Sequence, residues 1–335
     1  MRIKENVSLK PYNTFGIKAH AAQFVGVGTE AELLELLAIH TPKLILGGGS
    51  NILFRNDVDG LVVKNNLMGK TLVDENEDTV KVRFGAGENW HECVLWAIEK
   101  GYGGIENLSL IPGTIGAAPM QNIGAYGVEL KDVFVELEAV HLQKKTKHTF
   151  NHRACAFGYR ESVFKKALKG QFFITAVTLQ LTKKNHILNT SYGAIRATLE
   201  KNKVQPPDIK SISDAVVQIR QSKLPDPAQI GNAGSFFKNP ILHRSQFEPI
   251  KTKHPDIICY DLADDYVKIP AGWLIEQCGW KGKKIGDAGT YKNQALVIVN
   301  HGNASGAEIW QVAQAIQKAV KDKFQININP EVNVF

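Results

Sequence analysis

The 335-residue chain is too long for one ordinary hydrophobic core and fits two or three domains of typical size. Hydrophobic residues make up 44% of it, yet no stretch approaches the ~20 consecutive apolar residues of a membrane helix, so no membrane partner is expected. The net charge of +7 is spread along the chain instead of gathered in a tail or stripe, which speaks for a solvated basic surface or a cleft that draws anionic small ligands, and against nucleic acid.

Residues 1–10 carry charges of both signs and lack the apolar core of a secretory signal, which predicts a cytoplasmic protein. Cys93, Cys155, Cys259 and Cys278 lie far apart with no C-x-x-C pair and read as reduced structural thiols. His91-Glu92 is not part of an H-E-x-x-H motif and the other histidines have no zinc spacing, so no metal is expected.

Residues 21–27 predict a strand, and Thr29-Glu30-Ala31-Glu32 predicts a capping box that opens a helix carrying Leu33, Leu34, Leu36 and Leu37. A second strand at 43–46 is cut off by Gly47-Gly48-Gly49-Ser50-Asn51 before the apolar Ile52-Leu53-Phe54. Residues 79–181 alternate in the β manner, notably at 133–142 and 172–181, interrupted by one helix from an Asn89 cap to about Glu99. Pro206-Pro207 marks a junction. A capping box from Ser305 to Glu308 starts the last helix, with Ile309, Val312, Ala313, Ile316 and Val320 at helical spacing. A short strand at 324–328 then carries the C-terminus back to the body of the protein.

Two glycine-rich stretches stand out, Gly47 to Asn51 and a longer one from Leu110 through Pro112, Gly113, Thr114, Gly116 and Ala117 to Asn122, Gly124, Ala125, Tyr126 and Gly127. Missing side-chain bulk lets backbone N–H groups converge on an oxyanion, and a dinucleotide pyrophosphate is the natural guest. Plain loops with positive φ remain the alternative. Gly26-Val27-Gly28-Thr29-Glu30-Ala31 fits G-x-G-x-x-A, but no acidic ribose clamp follows at the Rossmann distance.

Asn13-Thr14-Phe15-Gly16, Leu46 to Asn51, Ile111 to Gly116, Gln121 to Tyr126, Tyr159-Arg160-Glu161-Ser162 and Gly231-Asn-Ala-Gly-Ser-Phe-Phe-Lys-Asn-Pro240 together resemble the UDP-N-acetylenolpyruvoylglucosamine reductase (MurB) family, in order from residue 13 to Glu331. The resemblance implies an α+β protein: a two-subdomain FAD-binding fold of the vanillyl-alcohol-oxidase (PCMH) type plus a C-terminal α+β substrate domain. Its expected divisions are 1–65, 66–205 and 206–323, with 324–335 returning to the body. It implies noncovalent FAD held by Gly47, Gly48, Gly49, Ser50, Asn51, Pro112, Gly113, Thr114, Gly116, Ala117, Asn122, Gly124, Ala125 and Tyr126, with NADPH as hydride donor.

Ser191-Tyr192-Gly193 resembles the closing loop of type I members. The resemblance also implies that Arg160 stabilises an enolate, Ser235 donates a proton and Glu331 completes the catalytic set. Tyr159, Tyr192, Lys223, Asn232, Lys238 and Asn239 are implied substrate contacts. Taken one at a time, these residues have plainer readings: an ion pair to Glu161 for Arg160, a turn for Ser235, an exposed strand end for Glu331. The implied reaction is reduction of UDP-N-acetylglucosamine enolpyruvate to UDP-N-acetylmuramate in peptidoglycan synthesis, by a monomer. The other classes weighed are a flavin oxidase using oxygen and a non-catalytic nucleotide- or nucleic-acid-binding protein.

Overall fold

The computed structural model describes residues 2–335. The chain forms two compact units. One takes the N-terminal residues up to Val7, Ala21–Gly49 and Val58–Ser222, and the other takes Ser8–His20, Ser50–Asp57 and Lys223–Phe335.

The first unit holds two sheets. In the smaller, the strands run in the order Lys4–Ser8, His20–Val27, Val58–Asn65, Leu44–Leu46, the last three parallel. Thr29 and Glu32 close the expected capping box on helix Glu30–Ile39, whose Leu33, Leu36 and Leu37 pack with Val25, Val27, Leu61 and Val63. The larger sheet is antiparallel, in the order Lys147–Asn151, Phe134–His141, Phe172–Thr182, Thr79–Gly85, Lys70–Glu75. Helix Trp90–Glu99, capped by Asn89 as expected, buries Trp90, Cys93, Val94 and Ala97 in a core with Val80, Val82 and Phe84.

The second unit is built on an antiparallel sheet in the order Gly231–Ser235, Val297–Asn300, Ala288–Thr290, Lys284–Ile285. Helix Gly306–Phe324 starts at the expected Ser305–Glu308 capping box and buries the predicted stripe Ile309, Val312, Ala313, Ile316 and Val320.

Three features differ from the sequence reading. The chain leaves the first unit at Ser222, past Pro206-Pro207, because helix Ile209–Lys223 packs Ile212, Ala215, Val216 and Ile219 against Ile195 and Leu199 of that unit. Residues 8–20, placed with the first glycine loop by the sequence reading, belong to the second unit: Asn232 N–H donates to Thr14 O at 3.0 Å, and Asn300 Nδ2 donates to Phe15 O at 3.0 Å. The strand expected at 324–328 is absent. Phe324 is the last helical residue, buried beside His254 and Trp273, and Gln325 caps it at φ +60°. The returning strand lies further on, at Asn333–Val334, and pairs in parallel with Ile52–Leu53.

Candidate active site

The two glycine stretches meet within the first unit. A Cβ on Gly48 would stand 2.7 Å from Gly113 Cα, and one on Gly47 would stand 2.7 Å from Thr114 Oγ1. Two backbones can approach this closely only where side chains are missing. Gly48, Pro112 and Ala117 are exposed along this seam, while Thr114 and Ile115 face inward. The seam is a backbone-walled cradle of the kind a dinucleotide pyrophosphate occupies, so these residues fit FAD. Ser50 and Asn51, the rest of the first glycine stretch, belong to the second unit.

Further along, Gly124–Ala125 and Val128–Glu129 form a hairpin whose turn residues, Tyr126 and Gly127, have φ +51° and +83°. Two successive positive φ values define a two-residue turn that matches strand twist. Asn122 is fully buried, and its amide donates to Glu129 Oε2 (2.9 Å) and Gly158 O (3.2 Å) while accepting from Lys131 N (3.0 Å). Its side chain therefore holds the loop, and what it can offer a ligand is backbone.

Arg160 stands at φ +53° with its Nη2 donating to Gly124 O at 2.6 Å and its guanidinium 5.7 Å from the Tyr159 ring centroid. The strained backbone and the fixed fork aim this cation at the Gly124–Tyr126 hairpin. Tyr126 is hydrogen-bonded to Arg220, and Tyr192 packs edge-on against its ring at 5.2 Å. Burial pushes the Tyr126 phenol up, and Arg220 opposes that shift. Tyr192 is half exposed where irregular residues lead into helix Gly193–Lys201.

Arg220 was not singled out from the sequence. It lies on helix Ile209–Lys223, its guanidinium depressed by burial, with Arg160 adding repulsion and Tyr126 compensating. Its Nε is buried with no hydrogen-bond partner. Two neighbouring cations with an unmet donor form a site for an anion. The available signal was an arginine three residues before Lys223 on an otherwise amphipathic helix.

In the second unit, Ser235 ends strand Gly231–Ser235 on the surface, while Phe236 and Phe237 behind it are buried. The next residues run against the C-terminal segment. Glu331 N donates to Phe236 O (2.8 Å), Lys238 N donates to Asn329 O (2.9 Å), and Phe237 and Pro330 form a bridge. Asn51 Nδ2 donates to Glu331 O at 3.4 Å. The structure thus runs the segment that follows Ser235 antiparallel to the one that carries Glu331, with Asn51 bonded to the main chain of Glu331. Asn232 is buried, and its Nδ2 donates to Pro225 O (3.1 Å) and Ile230 O (2.9 Å) while its Oδ1 accepts from Gly234 N (2.9 Å), holding the turn that presents Ser235. Asn239 Oδ1 accepts from Ala271 N (2.9 Å) at the start of helix Ala271–Gln277, and Lys223 is exposed. Among the described residues no cluster of His, Cys, Asp and Glu could hold a metal ion, and no helix is long and apolar enough to cross a membrane.

The match to known proteins follows this geometry. Residues 21–148, which include both glycine loops, match a family model described as an FAD binding domain, and the cradle and that match define an FAD-binding flavoprotein. Residues 226–335 match the C-terminal domain of UDP-N-acetylenolpyruvoylglucosamine reductase. The reductase of that name from Flavobacterium johnsoniae is 54% identical over 336 residues, covering 100% of both chains. Those from Amoebophilus asiaticus and Pseudomonas aeruginosa are 50% and 45% identical, each covering 100% of this chain and 99% of the relative. The crystal structure of the Thermus caldophilus reductase superposes with a TM-score of 0.71 at 24% identity, covering 100% of this chain and 99% of that one, a likeness of fold. The chain belongs to the UDP-N-acetylenolpyruvoylglucosamine reductase family, whose members are FAD-dependent oxidoreductases.

Proposed function

We propose that the protein reduces UDP-N-acetylglucosamine enolpyruvate to UDP-N-acetylmuramate with NADPH as donor, as a cytoplasmic monomer serving peptidoglycan precursor synthesis and, through it, cell shape and division. FAD, when bound, supplies a two-electron carrier between NADPH and the enol ether. The chain's own residues have three tasks: to hold the UDP sugar, to stabilise the charge that develops on the enolpyruvyl carboxylate, and to deliver one proton.

Arg160 performs the second task. A guanidinium stays charged at all working pH values and can grip a carboxylate with two parallel hydrogen bonds, and its bond to Gly124 O fixes its direction beforehand. Ser235 performs the third, giving its hydroxyl proton to the carbon next to the carboxylate once hydride has reached the terminal carbon. A serine is a weak acid, so the alkoxide it leaves must regain a proton from solvent through a neighbouring group. Glu331, on the segment that runs antiparallel to Phe236–Lys238, polarises the carboxylate end of the enol. Tyr159, Tyr192, Lys223, Lys238 and Asn239 hold the sugar and its phosphates.

The observation that carries this reading is the antiparallel ladder between Phe236–Lys238, which follow the exposed Ser235, and Asn329–Glu331. The test is NADPH consumption by purified protein with and without the UDP-enolpyruvyl sugar. Consumption that requires the sugar supports the reading. Sugar-independent consumption that follows oxygen would make the protein an oxidase instead.

A further inference from the structure

The second glycine stretch is tethered to one helix end. Trp90 N donates to Gly113 O (3.1 Å), Trp90 Nε1 donates to Leu108 O (3.0 Å), and Leu110 N donates to His91 Nδ1 (3.0 Å). Leu110 stands at φ +59°, a conformation that a branched aliphatic residue rarely adopts and that needs outside support. The support comes from an imidazole. Three residues on lies Gly113, whose Cα limits any side chain at Gly48 in the facing loop. A slack Leu110 therefore loosens the seam between the two loops.

We propose that His91 is a positioning residue for the cofactor cradle: its neutral ring accepts the Leu110 N–H, fixes the Leu110–Gly113 turn against Gly47–Gly49, and lets go when the ring is protonated in mild acid, weakening the hold on FAD. The inference rests on the reading of these loops as the flavin cradle. An imidazolium carries N–H on both nitrogens, so it has no acceptor for Leu110 and turns a donor toward a donor.

The surroundings set the direction of the effect. Burial is the main reason that His91 lies below the ordinary histidine range. The Arg220 guanidinium, on the packed helix Ile209–Lys223, pushes it further down, and Glu92 on its own helix pulls it up. For a group whose folded pKa is depressed, the tether is fully present above the unfolded histidine value of about 6.5, and it is lost as pH falls from there through the folded pKa.

The experiment uses the holoenzyme and two variants, H91N and H91F. Asparagine places an amide oxygen roughly where Nδ1 stands and does not titrate, whereas phenylalanine removes the acceptor. FAD release is followed by the fluorescence of freed flavin from about pH 8 to about pH 5, and amide exchange at Leu110 is followed over the same range. The parent is expected to hold FAD about tenfold less tightly at the acid end, while H91N stays flat and H91F is weak throughout. Leu110 protection should follow the same pattern.

If the parent and H91N lose FAD alike, the acid sensitivity belongs to another group and the proposal is wrong. If Leu110 exchange ignores both pH and the variants, the tether itself is refuted. Should exchange respond while FAD affinity does not, the turn is tethered but is not part of the cradle, which overturns the proposal by way of the loop assignment. Thermal melts of the apoprotein variants show whether H91F has simply lost its fold, and H91N carries the comparison in that case.

Discussion

The main-chain N–H of Glu331 donates to the carbonyl of Phe236 at 2.8 Å, so the segment that carries the glutamate is held beside the residue after Ser235 by a bond that its own side chain does not make. Changing the Glu331 side chain should therefore leave the ladder in place. In Glu331→Gln the unfolding free energy is expected to stay within about 0.5 kcal/mol of the parent. Turnover should fall by about 10²-fold or more, as for loss of a charged group acting at the reacting atoms. Urea titration together with steady-state rates measures both. Equal turnover would remove Glu331 from the chemistry, and a large loss of stability would make it structural.

Arg160 is held by its Nη2 bond to Gly124 O and by a backbone at φ +53°. In Arg160→Lys the charge remains but the planar fork is lost, so the variant is expected to keep its flavin and lose about 10²-fold in kcat/KM. Near-parent kinetics would show that a point charge suffices. Loss of flavin on purification would instead assign Arg160 to the cofactor.

The glycine seam makes two different demands. A methyl at Gly48 meets Gly113 backbone, which cannot swing away, while a methyl at Gly47 meets the Thr114 hydroxyl, which can be removed. Gly48→Ala should cost about 1–3 kcal/mol and flavin content, with no rescue by Thr114→Ala. Gly47→Ala should be rescued in part by Thr114→Ala. Bound flavin per chain and thermal midpoints of the double-variant set decide the point, and equal rescue of both would mean that the loops do not meet as described.

The helix starts were legible because capping is local chemistry. Thr29 with Glu32, Ser305 with Glu308, and the Asn89 side chain all cap their helices as the spacing required. The C-terminal strand was misplaced because Ile326 and Ile328, though alternating and buried, have no neighbouring strand to pair with, and pairing is a long-range property. The same limit hid the return of residues 8–20 to the second unit, where the Asn13-Thr14-Phe15-Gly16 motif is a staple: Asn13 donates to Leu9 O and Ile17 O, and its Oδ1 accepts from Ile17 N. Arg220 escaped notice because its meaning lies in Tyr126 and Arg160, which only folding brings near.

The cysteines offer a check on the core of the first unit. Cys93 and Cys155 are fully buried, and burial pushes both thiols up to about 12. Thiolate is the reactive form, so neither should react with a thiol reagent in native protein at about pH 8, and both should appear on denaturation. Cys259 and Cys278, half-buried, should react first. Fast native labelling at Cys93, read by peptide mass, would contradict the packing of helix Trp90–Glu99.

The central claim is that Ser235 delivers the proton to the sugar, and Ser235→Ala isolates that step because the residue sits on the surface with its strand anchored by Phe236 and Phe237. The hydride transfer from NADPH needs no proton from this hydroxyl. Stopped-flow absorbance of the bound flavin should therefore show bleaching by NADPH at the parent rate. Recovery of colour on adding the UDP-enolpyruvyl sugar should be slower by roughly 10²- to 10⁴-fold, the usual range for losing a general acid. Equal slowing of both phases would make Ser235 structural, and recovery at the parent rate would show that the proton comes from another group.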